Sequence, residues 1–422
     1  MEYAQIEATV AELASRAKNA ARTIAAMPAA LKNTLLLEIG ERLIARQPEI
    51  MAANARDLAA AEAKGISPAM LDRLRLSEQV IAGMVQGLRE IAALEDPVGE
   101  VDEMRRRPSG ISVGRMRVPL GVILMIYESR PNVTIDAASL CLKAGNAVIL
   151  RGGSEAIHSN LALAEVVHEV LREHQVDPAI VQVLDFTDRE GIDCLLRHEE
   201  SIDLVIPRGG EGLIRSVTEK SRIPVLKHYK GVCHCFVDAD ADEAMALRLI
   251  TNGKVQRPGV CNALEGVLIH RQIAPSFLPA MARAMEREGV RMLGCAESCR
   301  LAGNLIEPAA EDDWGAEFLA LTMVVRVVDG LDEAMDYINR YGSRHTEIII
   351  TGSYANSQRF LREVDASAVM VNASSRFNDG GQFGLGAEIG ISTTKMHAYG
   401  PMGLKELTTR KFVVFGAGEI RS

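Results

Sequence analysis

The chain has very little aromatic character and no long apolar run. Phe, Trp and Tyr make up 4% of its 422 residues, with one tryptophan, Trp314, so its core must be built from aliphatic side chains. No stretch approaches the roughly 20 apolar residues needed to cross a bilayer. The N-terminus mixes alanine with charge and lacks the basic start and apolar run of a secretory signal, so a cytoplasmic location is expected. Positive charge is also in deficit. A net charge of −9 argues against nucleic acid or an anionic membrane as partner, so an anionic substrate would need a local cationic pocket. The seven cysteines are an odd number in a large chain, which points to reduced thiols rather than a disulfide framework. Cys295 and Cys299 have no second pair at zinc-ribbon spacing, so spacing alone indicates no metal site.

What is present is an α/β pattern long enough for two domains. Residues 1–95 carry apolar positions at helical spacing and abundant alanine. Residues 111–118 alternate apolar and polar, the mark of a half-buried strand. From Gly121, short apolar runs at 122–126, 147–150, 181–184 and 204–206 alternate with helical patterns, of which 155–174 is the clearest. A second alternating series starts near Asp240. Two parallel-sheet domains are expected, spanning residues 1–240 and 241–395, with residues 396–422 returning as a late strand at 411–415. Such a strand pairs with something distant, a sister subunit among the candidates.

Four segments carry chemistry. The run Lys143-Ala-Gly-Asn-Ala-Val-Ile-Leu-Arg-Gly-Gly-Ser-Glu155 ends a buried strand in glycines and opens a helix. Glycines there let backbone N–H groups approach a ligand, and a helix N-terminus favours anions. Arg151 could meet a ribose phosphate, with Gly152, Ser154 and Glu155 beside it; a capped turn without ligand is the plainer reading. Pro207-Arg-Gly-Gly-Glu-Gly212 is a second such turn, with Gly209 and Gly210 at its bend. Two strand-end turns of one parallel sheet share an edge, which favours a cofactor cleft. The usual dinucleotide fingerprint is missing. In Asn252-Gly-Lys-Val-Gln-Arg-Pro-Gly-Val-Cys-Asn-Ala-Leu-Glu265, Cys261 has Lys254, Gln256, Arg257 and Asn262 as polar neighbours, a setting that suits a nucleophilic thiolate. The alternative is a structural buried thiol. Gly380-Gly-Gln-Phe-Gly-Leu-Gly-Ala-Glu-Ile-Gly390 is a glycine-rich stretch of the kind that shapes pockets.

Together with Tyr127-Glu-Ser-Arg-Pro-Asn-Val-Thr134, Arg376-Phe-Asn-Asp379, Tyr399-Gly-Pro-Met-Gly-Leu404 and Leu407-Thr-Thr409, these segments resemble the gamma-glutamyl phosphate reductase family of the aldehyde dehydrogenase superfamily. The resemblance covers essentially the whole chain. It implies two Rossmann-like parallel-sheet domains, a helical N-terminal region and a β-hairpin arm for oligomerisation built from 111–118 and 411–415. It implies NADPH-dependent reduction of L-glutamyl 5-phosphate to the 5-semialdehyde through a thioester on Cys261, in proline biosynthesis. Where hydrolytic relatives carry a general-base Glu, this chain has Lys227, consistent with a thioester that is not meant for water. Glu317 matches the residue that holds the nicotinamide ribose, and Arg151, Ser154 and Glu155 match the adenosine-ribose segment. Asn132 is the candidate second oxyanion donor beside the Cys261 backbone N–H. Arg130, Lys227, His228 and Arg257 are candidates for the substrate phosphate or carboxylate. A homo-oligomer and a complex with the upstream glutamate kinase are further expectations. Two alternatives stay open: an acylating dehydrogenase using coenzyme A, and a non-catalytic scaffold.

Overall fold

The computed structural model describes residues 2–421, apart from the side chain of Ala69. The chain divides into two compact units. One comprises residues 1–227, 385–390 and 402–422, and the other residues 228–384 and 391–401.

The first unit begins with five helices, Tyr3–Ala25, Ala29–Ala45, Gln47–Ala63, Pro68–Leu74 and Glu78–Ala93. The first buries Ile6, Val10, Ala14, Ala17, Ala21 and Ile24, a stripe at three- and four-residue steps. Ser67 and Ser77 cap the fourth and fifth helices by accepting from Met70 N and Val80 N, which satisfies amide groups the helix leaves open. A four-stranded sheet follows, ordered Val181–Val183, Ala147–Arg151, Val122–Tyr127, Leu204–Arg208, with every pairing parallel. Val122–Tyr127 is buried at all six positions, as a central strand covered on both faces requires. Because the strands are parallel, the glycine turns after Arg151 and Arg208 leave the same edge of the sheet.

A separate antiparallel sheet joins Val101–Arg106, Ser112–Pro119 and Thr408–Phe415. Thr408 pairs with Pro119 and Phe415 with Ser112. The late strand therefore finds its partner within its own chain. Its exposed side chains include Phe412, Val414 and Phe415.

The second unit holds a seven-stranded sheet ordered Glu307–Pro308, Arg291–Gly294, Thr322–Val328, Leu264–His270, Cys233–Val237, Thr346–Ile350, Ala368–Val371. Its pairings are all parallel. Alternate residues of one strand feed two cores: Val267 and Ile269 pack with Phe277 and Met281, while Leu268 packs with Phe236, Trp314 and Phe360. The boundary expected near residue 240 falls instead at Lys227/His228. Cys233–Val237 sits between Leu264–His270 and Thr346–Ile350, so this strand belongs to the second sheet. Residues 402–422 likewise belong to the first unit rather than forming a separate tail.

Candidate active site

Cys261 stands in the turn between the helix Glu243–Val255 and the strand Leu264–His270, and is half-buried. Asp242 caps the helix by accepting from Met245 N at 2.8 Å. Pro258, which cannot donate and disfavours helix before it, follows its end. The turn is then fixed from three sides. At its base, Lys254 Nζ donates to Glu265 Oε2 at 2.8 Å, with both side chains out of solvent. Burial pushes the Glu265 carboxyl up to about 7, against the opposing pull of Lys254. Lys254, counted from the sequence among the cations near Cys261, is thus committed to a strut. Asn262 Nδ2 donates to the Asn378 carbonyl at 2.9 Å, tying the turn to the glycine-rich stretch. On the third side lies Gly231, whose N–H donates to Glu317 Oε1 at 2.9 Å.

Arg376 is a cation at this site that the sequence reasoning did not single out. Its Nε donates to Gln256 Oε1 at 2.9 Å. Burial, then the neighbouring Arg257, lowers its guanidinium from the ordinary value, while Asp379 and Cys261 act in the opposite direction. The only sequence signal was its position just before the glycine-rich stretch. Two histidines also converge here. His228 Nδ1 donates to the Ile391 carbonyl at 2.9 Å, and the His228 and His345 ring centroids are 5.5 Å apart. Behind them Cys233 Sγ reaches the Cys261 carbonyl at 3.2 Å, and burial drives its thiol well above the ordinary value, so it stays protonated. Lys227 is the last residue of the first unit.

The first unit holds a cavity of about 500 Å3 at the glycine-turn edge of its sheet, lined by Tyr127, Ser129, Arg151, Ser154, Glu155 and Arg189 among others. That size suits a cofactor. Glu155 Oε1 accepts from both Ser129 N (2.8 Å) and Ser129 Oγ (2.6 Å), which holds Ser129 at a left-handed φ of 44°. Arg151 Nη1 donates to the Gly152 carbonyl and Nη2 to the Thr187 carbonyl, while the buried Nε has no hydrogen-bond partner in the described structure. Arg189, which the sequence reasoning missed, is exposed on the same cavity. Gly152 is required by packing, since a Cβ there would stand 2.0 Å from Asn160 Nδ2. Gly209 is hemmed in by Glu128 in the same way, and Gly210 N–H donates to Glu128 Oε2 at 3.0 Å. None of these three glycines is among the residues lining the cavity. Asn132 Nδ2 donates to Asp136 Oδ2 at 2.8 Å, and Arg130 is exposed just before it. A second cavity of about 460 Å3, bordered by Ala21, Met116 and Lys411, touches neither glycine turn.

The aldehyde dehydrogenase family model matches residues 3–301. A gamma-glutamyl phosphate reductase of Desulfotalea psychrophila is 58% identical over 417 residues, covering 99% of this chain and all of that protein. The chain belongs to the gamma-glutamyl phosphate reductase family. A second member, from Geotalea daltonii, is 58% identical over 98% of this chain and all of its own length. The crystal structure of gamma-glutamyl phosphate reductase from Thermotoga maritima superposes with a TM-score of 0.96 at 43% identity, covering 98% of this chain and all of that one. Members of this family are oxidoreductases of the aldehyde dehydrogenase superfamily, so the α/β architecture expected from the residues is the family's own.

Proposed function

We propose that this chain reduces L-glutamyl 5-phosphate to L-glutamate 5-semialdehyde with release of phosphate, in proline biosynthesis, using NADPH and a thioester on Cys261. The names of the relatives support the substrate. The observation that carries the mechanism is the half-exposed Cys261 on a turn fixed from three sides, with Arg376 close enough to act on it electrostatically. Neighbouring cations suit a cysteine nucleophile to attack on an anionic acyl phosphate.

Cys261 Sγ adds to the acyl carbon, the C–O bond to phosphate breaks, and phosphate leaves with its electron pair. A nicotinamide cofactor, when bound, would supply the hydride needed to reduce the thioester carbon. The C–S bond then breaks, the aldehyde departs and the thiolate is restored. The oxyanion formed at each tetrahedral stage needs donors, for which the Cys261 N–H and the Asn132 side-chain amide are the candidates. Arg257, Arg130 and Lys227 share the substrate's phosphate and carboxylate. In the cavity of the first unit, Ser154 and Glu155 would hold the adenosine ribose of a bound cofactor, and Arg189 with Arg151 would supply positive charge for a 2′-phosphate. Glu317 is the candidate for the nicotinamide ribose. The antiparallel sheet, with Phe412, Val414 and Phe415 exposed, is assigned to self-association. A transient complex with the kinase that makes the acyl phosphate would shield that labile substrate.

The test is the reverse reaction, glutamate semialdehyde plus NADP, followed by absorbance of the reduced cofactor with and without inorganic phosphate. Phosphate-dependent reduction of NADP is expected. Reduction without phosphate would mean water resolves the thioester, and dependence on coenzyme A instead would make the enzyme an acylating dehydrogenase.

A further inference from the structure

The second unit brings three metal-ligating side chains to one point from widely separated stretches of sequence. His228, Cys261 and His345 each offer one ligand atom, and these atoms all lie within 4.8 Å of one another. The outer contacts of both imidazoles are already made. His228 Nδ1 lies 2.9 Å from the Ile391 carbonyl. A carbonyl can only accept, so the proton sits on Nδ1 and the lone pair on Nε2. His345 Nδ1 lies 2.7 Å from Thr346 Oγ1, which in turn accepts from Asn378 Nδ2 at 2.8 Å. Metal-bound histidines are typically oriented by this kind of carbonyl or hydroxyl contact on the ring nitrogen away from the ion.

We propose that His228 Nε2, Cys261 Sγ and His345 form a site for one thiophilic divalent cation, with Zn2+ the best match, and that its occupancy silences Cys261. Two nitrogens and one thiolate are the donor set of zinc rather than of oxygen-seeking magnesium or calcium. At Zn–N of about 2.0–2.1 Å and Zn–S of about 2.3 Å, tetrahedral ligand atoms stand roughly 3.3–3.8 Å apart, so the trio closes by about 1 Å. His345 is fully buried and gives a fixed anchor, while the half-exposed Cys261 and His228 can rotate toward it. The fourth position is left to water on the exposed side. Binding releases the Cys261 thiol proton to solvent and forms the S–metal bond. A thiolate so engaged no longer adds to an acyl carbon. This last consequence rests on the nucleophilic role proposed above, whereas the binding itself does not.

The experiment is a Co2+ titration of the chelator-stripped full-length protein, read by absorption. One equivalent should produce a sulfur-to-metal charge-transfer band and strong tetrahedral d–d bands, both lost when Zn2+ is added. Cys261→Ser should remove the charge-transfer band, and His228→Gln should weaken Co2+ binding at least about tenfold. Both positions are half-exposed, so a thermal melt can show that the variants fold. Weak octahedral bands in the parent protein, or an unchanged spectrum in Cys261→Ser, would overturn the site. In a parallel assay one equivalent of Zn2+ should stop turnover and a chelator restore it. Full turnover with the tetrahedral spectrum present would refute the silencing. A stripped protein without any turnover would count against the reductase reading alone, since the spectrum needs no substrate.

Discussion

Gly231 lies against Cys261 so closely that a Cβ on it would stand 2.1 Å from the Cys261 carbonyl oxygen and 2.6 Å from its Cα. The requirement for glycine here is one of contact rather than of φ, since Gly231 is absent from the left-handed residues. Gly231→Ala must push the Cys261 turn away. A displacement near 1 Å at a nucleophile costs on the order of 100-fold in rate. We expect kcat, measured at saturating substrate and cofactor, to fall by about that factor, and an unchanged kcat would contradict the contact.

Cys261→Ala should leave less than about a hundredth of parent turnover while NADPH still binds, because a thioester cannot form without the sulfur. Residual turnover well above that level would remove Cys261 from the reaction.

The Arg151 guanidinium is engaged by two backbone carbonyls, whereas Arg189 is exposed on the same cavity. Arg189→Ala should therefore raise KM for NADPH roughly tenfold and hardly affect NADH, a loss of about 1.4 kcal/mol confined to the 2′-phosphate. Arg151→Ala should also lower the melting temperature, because the Gly152 and Thr187 carbonyls lose their donor. Equal losses for the two cofactors in Arg189→Ala would refute the assignment.

The Lys254–Glu265 pair is fully buried, so removing one partner leaves the other buried without its counter-charge. Lys254→Met alone should destabilise the protein by about 3–5 kcal/mol, and adding Glu265→Leu should recover most of that. Urea unfolding of the two single variants and the double variant measures the coupling.

Burial carries the Asp136 carboxyl from 3.8 up to about 6, with the Asn132 amide opposing. A folded-state value above the unfolded one means that the neutral acid is favoured by the fold. Its stabilising contribution is complete below 3.8 and is lost as the pH rises through about 6. Asp136→Asn can still accept from Asn132 and does not ionise. Relative to the parent, the variant should gain on the order of 2 kcal/mol between about pH 4 and pH 8, less whatever the partial exposure of this side chain screens. A pH-independent difference in urea midpoints would contradict this.

The parallel sheets were legible because their strands are buried on both faces and read as unbroken apolar runs: 122–126 became Val122–Tyr127, and 147–150 became Ala147–Arg151. The unit boundary was not. Cys233–Val237 has the local pattern of any buried strand, and only its pairing with Leu264–His270 and Thr346–Ile350 assigns it to the second sheet. The half-buried turn that carries Cys261 was legible from its polar neighbours. His345 and Arg376 were not, because each reaches the site from a remote segment whose own sequence is unremarkable. The fate of Lys254 was hidden for a related reason: spacing shows that a cation is near, but not that Glu265 takes it.

The strand Ser112–Pro119 has its second partner, Thr408–Phe415, almost at the other end of the chain. During synthesis the ribosome must make the whole of the second unit before that partner emerges. Until then one edge of the early strand offers unpaired backbone to any passing chain, an invitation to aggregation. The exposed charges of Arg105, Arg106 and Arg107, on the neighbouring strand and its turn, lie where they can keep nascent copies apart. Nascent chains released just short of Thr408 should therefore clump more readily than either the full-length protein or chains stopped before the first hairpin is made.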